Sequence, residues 1–185
     1  MFDFLPLGPS HLEALLALEG EVISGLERPD LLRRNSPEMW QSCLLPPHVA
    51  FGAEAGGLLA AVAVLYVPQP GDGEGLSHLL QGVGREGHEG LRSANYKICL
   101  VRRGCRGHGL QQRLGRLLEA AAAERGIGLL CSTVSPHNPA SLRSLERLGY
   151  RPNRALVKYG FERILMYKYL NGCGSEEVCC CKGGM

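Results

Sequence analysis

Apolar positions along the chain change their period several times, and each change marks an element. Phe2 to Leu7 is short, apolar and aromatic, which predicts a first strand. Ser10-His11-Leu12-Glu13 reads as a capping box, with Ser10 at the N-cap and Glu13 reaching back. Leu12, Leu15, Leu16 and Ile23 follow at near-helical spacing. Ser36 and Pro37 open a second helix, because proline suits the first helical position. Met39, Trp40 and Cys43 form its expected inner face, with Trp40 in the core rather than lining a substrate pocket. His48 to Ala55, the Gly56-Gly57 pair and Leu58 to Val67 predict a β-hairpin.

Pro68 to Arg92 is glycine-rich and holds one short helical stretch, Leu76 to Val83. So long an irregular connection is uncommon inside a compact domain. It is either disordered or the wall of a substrate site. Ala94 to Val101 resumes as a strand in which Tyr96, Ile98 and Leu100 alternate against Asn95, Lys97 and Cys99. The clearest helix follows, with a stripe of Leu110, Leu114, Leu117, Leu118 and Ala121 and a stop at Gly126. Leu129 to Val134 predicts a strand, and Pro139 to Leu148 a short helix stopped by Gly149. Tyr150 to Tyr159 and Phe161 to Leu170 predict two terminal strands around Gly160. Nothing repeats, so residues 1–170 read as one domain and residues 171–185 as a flexible Gly/Cys-rich tail.

Composition narrows the class. The 185 residues are 45% hydrophobic and 21% charged, the profile of one globular domain able to bury a core. Twenty Lys and Arg against eighteen Asp and Glu leave a formal charge of +2, without the basic field of a nucleic-acid binder. Mean hydropathy is -0.04 and the longest apolar run, Leu58 to Val67, is half a membrane span. No basic n-region precedes an apolar stretch at the N-terminus, so a cytoplasmic location and no membrane partner are expected. The eight cysteines include no CxxC pair, so no metal is expected and reduced thiols are the reading.

The informative junction is Val101-Arg102-Arg103-Gly104-Cys105-Arg106-Gly107-His108-Gly109-Leu110. A strand runs into an Arg- and Gly-rich turn and then into a helix N-terminus. Glycines allow tight turns and close approach, and the first helical amides point outward at the positive end of the helix dipole. The combination suits a phosphate, with Arg102, Arg103 and Arg106 adding charge-assisted hydrogen bonds, or else it is a turn with solvated arginines. A Walker loop fails because Gly109 is followed by Leu110-Gln111, and a dinucleotide fingerprint fails because Gln112 stands at its third glycine.

VRRGCRGHGLQQRL resembles the coenzyme A pyrophosphate loop of the GCN5-related N-acetyltransferase (GNAT) family. TVSPHNPASLRSLERLGY resembles that family's next block, an Asn-started helix closing in Gly-aromatic. Order and spacing agree over roughly residues 94–160. The resemblance implies an α/β GNAT-like acyl-CoA N-acyltransferase fold, a mixed twisted sheet flanked by helices. It implies direct transfer of acetyl from acetyl-CoA to a primary amine, on a small molecule or a peptide. By the same resemblance Arg106 to Leu110 (Arg106, Gly107, His108, Gly109, Leu110) would cradle the pyrophosphate, flanked by Arg103. Leu100 and Val101 would pair with the pantetheine arm, and Asn138 and Ser141 would lie beside it. A homodimer through the last strands is expected by analogy.

The chain also departs from the family pattern. Gly104 stands where members usually carry Gln or Arg. Leu145, seven residues after Asn138, stands where many carry the tyrosine that protonates the leaving thiolate. Catalytic residues are therefore unassigned, with Tyr150, Tyr159 and Glu89 as candidates beside His88, His108, His137 and Glu54. Cys105, in the arginine-rich turn, is read as incidental. Glu19, Glu21, Glu27 and Asp30 in the first third would draw a polyamine or aminoglycoside, or are simply a solvated face. The rival readings are a coenzyme A-binding sensor without turnover and a domain whose loop binds no nucleotide.

Overall fold

The computed structural model describes residues 1–69 and 91–170. The expected helix at Leu76 to Val83, the candidates His88 and Glu89, and the Cys-rich tail lie outside the described residues. Seven strands form one sheet: β1 (Asp3–Pro6), β2 (Val49–Ala55), β3 (Leu58–Tyr66), β4 (Arg92–Val101), β5 (Ile127–Val134), β6 (Arg151–Lys158) and β7 (Phe161–Tyr169). Their spatial order is β1-β2-β3-β4-β5-β7-β6, and all neighbours are antiparallel except β4 and β5. Among the described residues there are four α-helices, α1 (Leu12–Ser24), α2 (Pro37–Cys43), α3 (Leu110–Glu124) and α4 (Pro139–Arg147). α3 is the crossover that the parallel β4–β5 pair requires.

Helices cover both faces of the sheet, which explains the unbroken apolar run of β3. Val62 and Val64 pack with Leu15, Leu18, Val22, Trp40 and Cys43 of α1 and α2. Ala61, Ala63 and Leu65 pack with Leu110, Leu114 and Leu118 of α3 and with Leu145 near the end of α4. A strand buried on both sides reads as continuous rather than alternating hydrophobicity. Trp40 is fully buried, a core residue as the sequence indicates.

Three local expectations are corrected. α1 begins at Leu12 after a single 3-10 turn, Pro9–His11, so Ser10 is not its cap. The Gly8 amide instead donates to Nδ1 of His11 at 3.0 Å. The buried face of α1 is Leu15, Leu18, Glu19 and Val22, and Glu19 belongs to no solvated face. Its Oε1 accepts from both the backbone N and the Nδ2 of Asn35, each at 2.9 Å, tying the α1–α2 loop to α1.

The third correction concerns β4. Its pairing with β3 steps from Leu65↔Tyr96 to Val64↔Ile98, so Lys97 is the extra residue of a β-bulge. Tyr96 therefore packs on the α3 face, while Ile98 and Leu100 pack on the α1/α2 face. A simple alternation would have put all three together. Among the described residues, no helix is long and apolar enough to cross a membrane.

Candidate functional site

The sheet opens where the bulge sits. β4 and β5 pair in parallel from Arg92↔Ile127 only as far as Asn95↔Cys131. Beyond that point the strands part, leaving the β5-facing edge of β4 open over Ile98 to Val101. The Oγ of Ser132 donates to the Tyr96 carbonyl at 2.9 Å and closes the apex of the gap. An open strand edge is a template for an extended ligand with amide groups.

The open edge leads directly into the turn. Gly107 and Gly109 have φ of 83° and 69°, the left-handed region that residues with a Cβ rarely adopt. Gly109 is the N-cap of α3, and its carbonyl takes the first helical bond, from the Arg113 amide at 3.1 Å. Among the described residues no backbone carbonyl takes the amides of Gly107, His108 and Gly109. With the first amides of α3 they form a concave set of donors at a helix N-terminus, the arrangement that holds a phosphate oxygen.

α4 supplies the opposite wall. Asn138 caps it, its Oδ1 accepting from the Ser141 amide at 3.1 Å. Ser141 Oγ in turn accepts from Nε2 of Gln111 at 3.2 Å, joining the start of α4 to the start of α3. The cleft between these walls holds about 680 Å³ and brings together Leu100, Val101, Arg106, Gly107, Gly109, Leu110, Asn138 and Ser141. Arg103 and His108 do not line it. His108 folds back on its own turn, Nδ1 lying 3.0 Å from the Arg106 carbonyl. Arg102 is a correction: its Nε and Nη2 donate to the Leu59 carbonyl at 3.3 and 3.2 Å, and Nη1 pairs with Glu21. It anchors β4 to β3 and α1 rather than meeting a phosphate. The sequence reading missed Arg143 and Arg147, which line the cleft one helical turn apart on α4.

The catalytic candidates separate clearly. Leu145 lines the cleft and is buried, so the position carries no proton to give. Tyr150 is in the core and does not line the cleft, and its hydroxyl has no hydrogen-bond partner among the described residues. Burial, then the nearby Glu119, pushes it well above the ordinary tyrosine range. Tyr159 is exposed, has a φ of 56°, and carries the Arg33 guanidinium 3.8 Å over its ring. Positive φ on a bulky residue is strained backbone, here held in the β6–β7 turn.

Tyr159 lines a second, smaller cavity of about 200 Å³. Both cavities are bounded by Leu31, Leu32, Lys97, Ile98 and Thr133, so they adjoin at the bulge. No sequence motif pointed to the smaller one, because its walls come from four distant segments. Among the described residues no three His, Cys, Asp or Glu side chains come together to hold a metal.

A gap in a mixed sheet that joins an open strand edge to a donor-lined helix N-terminus has room for a long ligand with amides at one end and an anion at the other. Comparison with known proteins names the class. Residues 21–150 match the model of the acetyltransferase (GNAT) family, and the chain belongs to that family. Arabidopsis thaliana NAA60, solved with acetyl-CoA, superposes with a TM-score of 0.71 at 17% identity, covering 93% of this chain and all of that one. YncA, a putative acetyltransferase of Salmonella typhimurium solved with its cofactor acetyl-CoA, gives 0.69 at 15%, covering 96% and 99%. A ribosomal-protein-alanine N-acetyltransferase from Brucella melitensis gives 0.67 at 20%, covering 91% and 99%. A search of curated protein sequences finds no significant match.

Proposed function

We propose that this protein is an N-acetyltransferase that binds acetyl-CoA in the 680 Å³ cleft and acetylates a primary amine entering from the smaller cavity. The observation that carries the reading is the continuity of the open β4 edge with the donor-lined turn at Gly107–Gly109. The amides of that turn and of the α3 N-terminus would hold the pyrophosphate, and Arg106, Arg143 and Arg147 would supply positive charge in the same cleft. Main-chain groups of Leu100 and Val101 would pair with the pantetheine amides as an added strand. Asn138 and Ser141 fit beside that arm, since their side chains are already fixed by the cap and by Gln111.

Acetyl-CoA, when bound, supplies an acetyl group as a thioester, which the amine nitrogen takes as the carbon–sulfur bond breaks, one proton leaving nitrogen and one reaching sulfur. The protein's part is positioning and electrostatics. The bulge at Lys97 breaks the regular ladder beside the apex of the gap, where a main-chain N–H freed from it would polarise the acetyl oxygen. Holding both reactants in a near-attack geometry supplies much of the rate. With Leu145 at the usual acid position, the thiolate would take its proton from water. A general acid typically contributes about 10²–10⁴-fold, so turnover is expected to be slow rather than absent.

Amine-dependent release of the coenzyme A thiol tests this reading. Release in the wild type, lost in Gly107→Glu, is the expected result. Tight cofactor binding with no release for any amine would favour the sensor reading, which Leu145 and the lack of an assigned base support.

A further inference from the structure

Resting on that reading, we propose that the smaller cavity selects an acceptor whose amine lies close to an anionic group, and so rejects polyamines. Arg33, Arg34, Lys97, Lys158 and Arg163 line it, and no carboxylate does among the described residues. Two carboxylates stand near without lining it, and the charge of Asp30 still reaches Arg163. Asp30 is bound by Arg28, Nε to Oδ1 at 3.0 Å and Nη2 to Oδ2 at 3.3 Å. Glu19 is held by Asn35. Such a one-signed chamber focuses a positive field and raises the local concentration of anions.

A second observation points independently to a ligand. Asn95 is 4% exposed, lines the same cavity, and its Oδ1 has no hydrogen-bond partner among the described residues. A buried amide oxygen left unmade is costly unless a ligand satisfies it. Asn95 lies one residue from Tyr96, whose carbonyl marks the apex of the gap, so an N–H of the acceptor's amine would reach this oxygen beside the acetyl group. The acceptor would thus be read at two points, the nitrogen by Asn95 and an anion by the basic wall. Arg163 is 8% exposed and Arg33 is held over Tyr159, so part of that wall is fixed before a ligand arrives. At about 200 Å³ the chamber takes a compact acceptor or the tip of a larger one, below the size of pockets that enclose whole drug-sized ligands.

A carboxylate beside an amine occurs both in a free acidic amino acid and at a peptide N-terminus followed by Asp or Glu. Binding of acetylated products, measured by calorimetry with coenzyme A present, needs no turnover. The probes are N-acetylglutamate, an N-acetylated Glu-Asp peptide, the neutral bis-amide of N-acetylglutamate, and N-acetylspermidine. At least one anionic probe is expected to bind about tenfold or more tightly than the neutral amide, the gain of one charge-assisted contact. N-acetylspermidine is expected to bind more weakly still. The advantage should vanish in Arg163→Gln and invert in Arg33→Glu, an exposed site that serves if the buried variant fails to fold. Equal affinity for all four probes, or preference for the polyamine, would overturn the inference. Anion-selective binding without amine-dependent thiol release would instead sink acetyl transfer and leave the chamber's specificity standing.

Discussion

The hydroxyl of Ser132 donates to the carbonyl of Tyr96 at 2.9 Å, one residue beyond the last paired position of β4 and β5. This bond marks where the sheet stops being a sheet. On one side of it lie the parallel pairs; on the other lie the bulge at Lys97 and the open edge that a cofactor arm would use. Ser132 is 7% exposed, so the bond itself is largely shielded from solvent. Ser132→Ala is expected to cost about 1–3 kcal/mol of stability in urea unfolding, the range for a buried group left unmade. It should also weaken acetyl-CoA binding, because the apex then spreads. Unchanged stability would show that the carbonyl finds another donor.

Glu19 acts at a distance from the cofactor. Its carboxylate holds Asn35, and with it the segment that carries Arg33 and Arg34 to the smaller cavity. Glu19→Ala should raise KM for the acceptor while leaving acetyl-CoA affinity nearly unchanged. The stability loss should again be about 1–3 kcal/mol. Equal loss of both affinities would mean that α1 itself had shifted.

Lys158 gives a pH signature. Burial pushes its ammonium down to about 8, with Lys97, Arg33 and Arg163 adding to the push and the Cys131 thiol opposing it. Between about 8 and the ordinary 10.5 the unfolded chain holds a proton here that the folded chain has released. The unfolded state then binds more protons, so this residue makes stability rise with pH across that interval. Lys158→Met should flatten that rise. The same titration affects selectivity: the preference for an anionic over a neutral acceptor of equal amine basicity should fall as pH rises through about 8. A flat ratio would show that Lys158 does not meet the acceptor's charge.

Cys43 and Cys131 are buried and Cys99 is half-buried against the core, and all three thiols should be slow to react. Burial pushes Cys99 and Cys131 up to about 12 and Cys43 up to about 11. Thiolate is the reactive form, so alkylation of these three in the native protein at pH 8 should be at least about tenfold slower than after unfolding. Peptide mapping of the labelled sites distinguishes them from the other cysteines. Rapid native labelling of Cys131 would show that the sheet opens around β5.

Much of this was legible in the sequence, for identifiable reasons. The hairpin, α2, α3 and the turn to α4 each rest on local chemistry: Gly56-Gly57, Ser36-Pro37, the leucine stripe, and Asn138-Pro139. The glycine turn before α3 was legible because its glycines and its helix start are contiguous. The bulge was not, since an extra residue at Lys97 leaves the composition of β4 unchanged and only its register with β3 reveals it. Glu19 was read as surface because charge alone does not disclose a partner sixteen residues away. Arg102 looked like its neighbours in the turn, yet its side chain reaches the Leu59 carbonyl across β3. The basic chamber was hidden for the same reason: Arg33, Asn95, Lys97, Lys158 and Arg163 meet only after the sheet is assembled. A formal charge of +2 over the whole chain says nothing of such local segregation.

The central claim is that the turn at Gly107–Gly109 and the open β4 edge bind acetyl-CoA, and calorimetric titration of reduced protein tests it most directly. Among the described residues nothing lies within 4 Å of a Cβ placed on Gly107, so the first side-chain atom meets no neighbour, and its φ of 83° adds strain of about 1–2 kcal/mol. Gly107→Glu should therefore remain folded while its carboxylate repels the pyrophosphate. The account predicts micromolar binding to the wild type and its loss in the variant. Absence of binding to folded wild type, or unchanged affinity in Gly107→Glu, would contradict it.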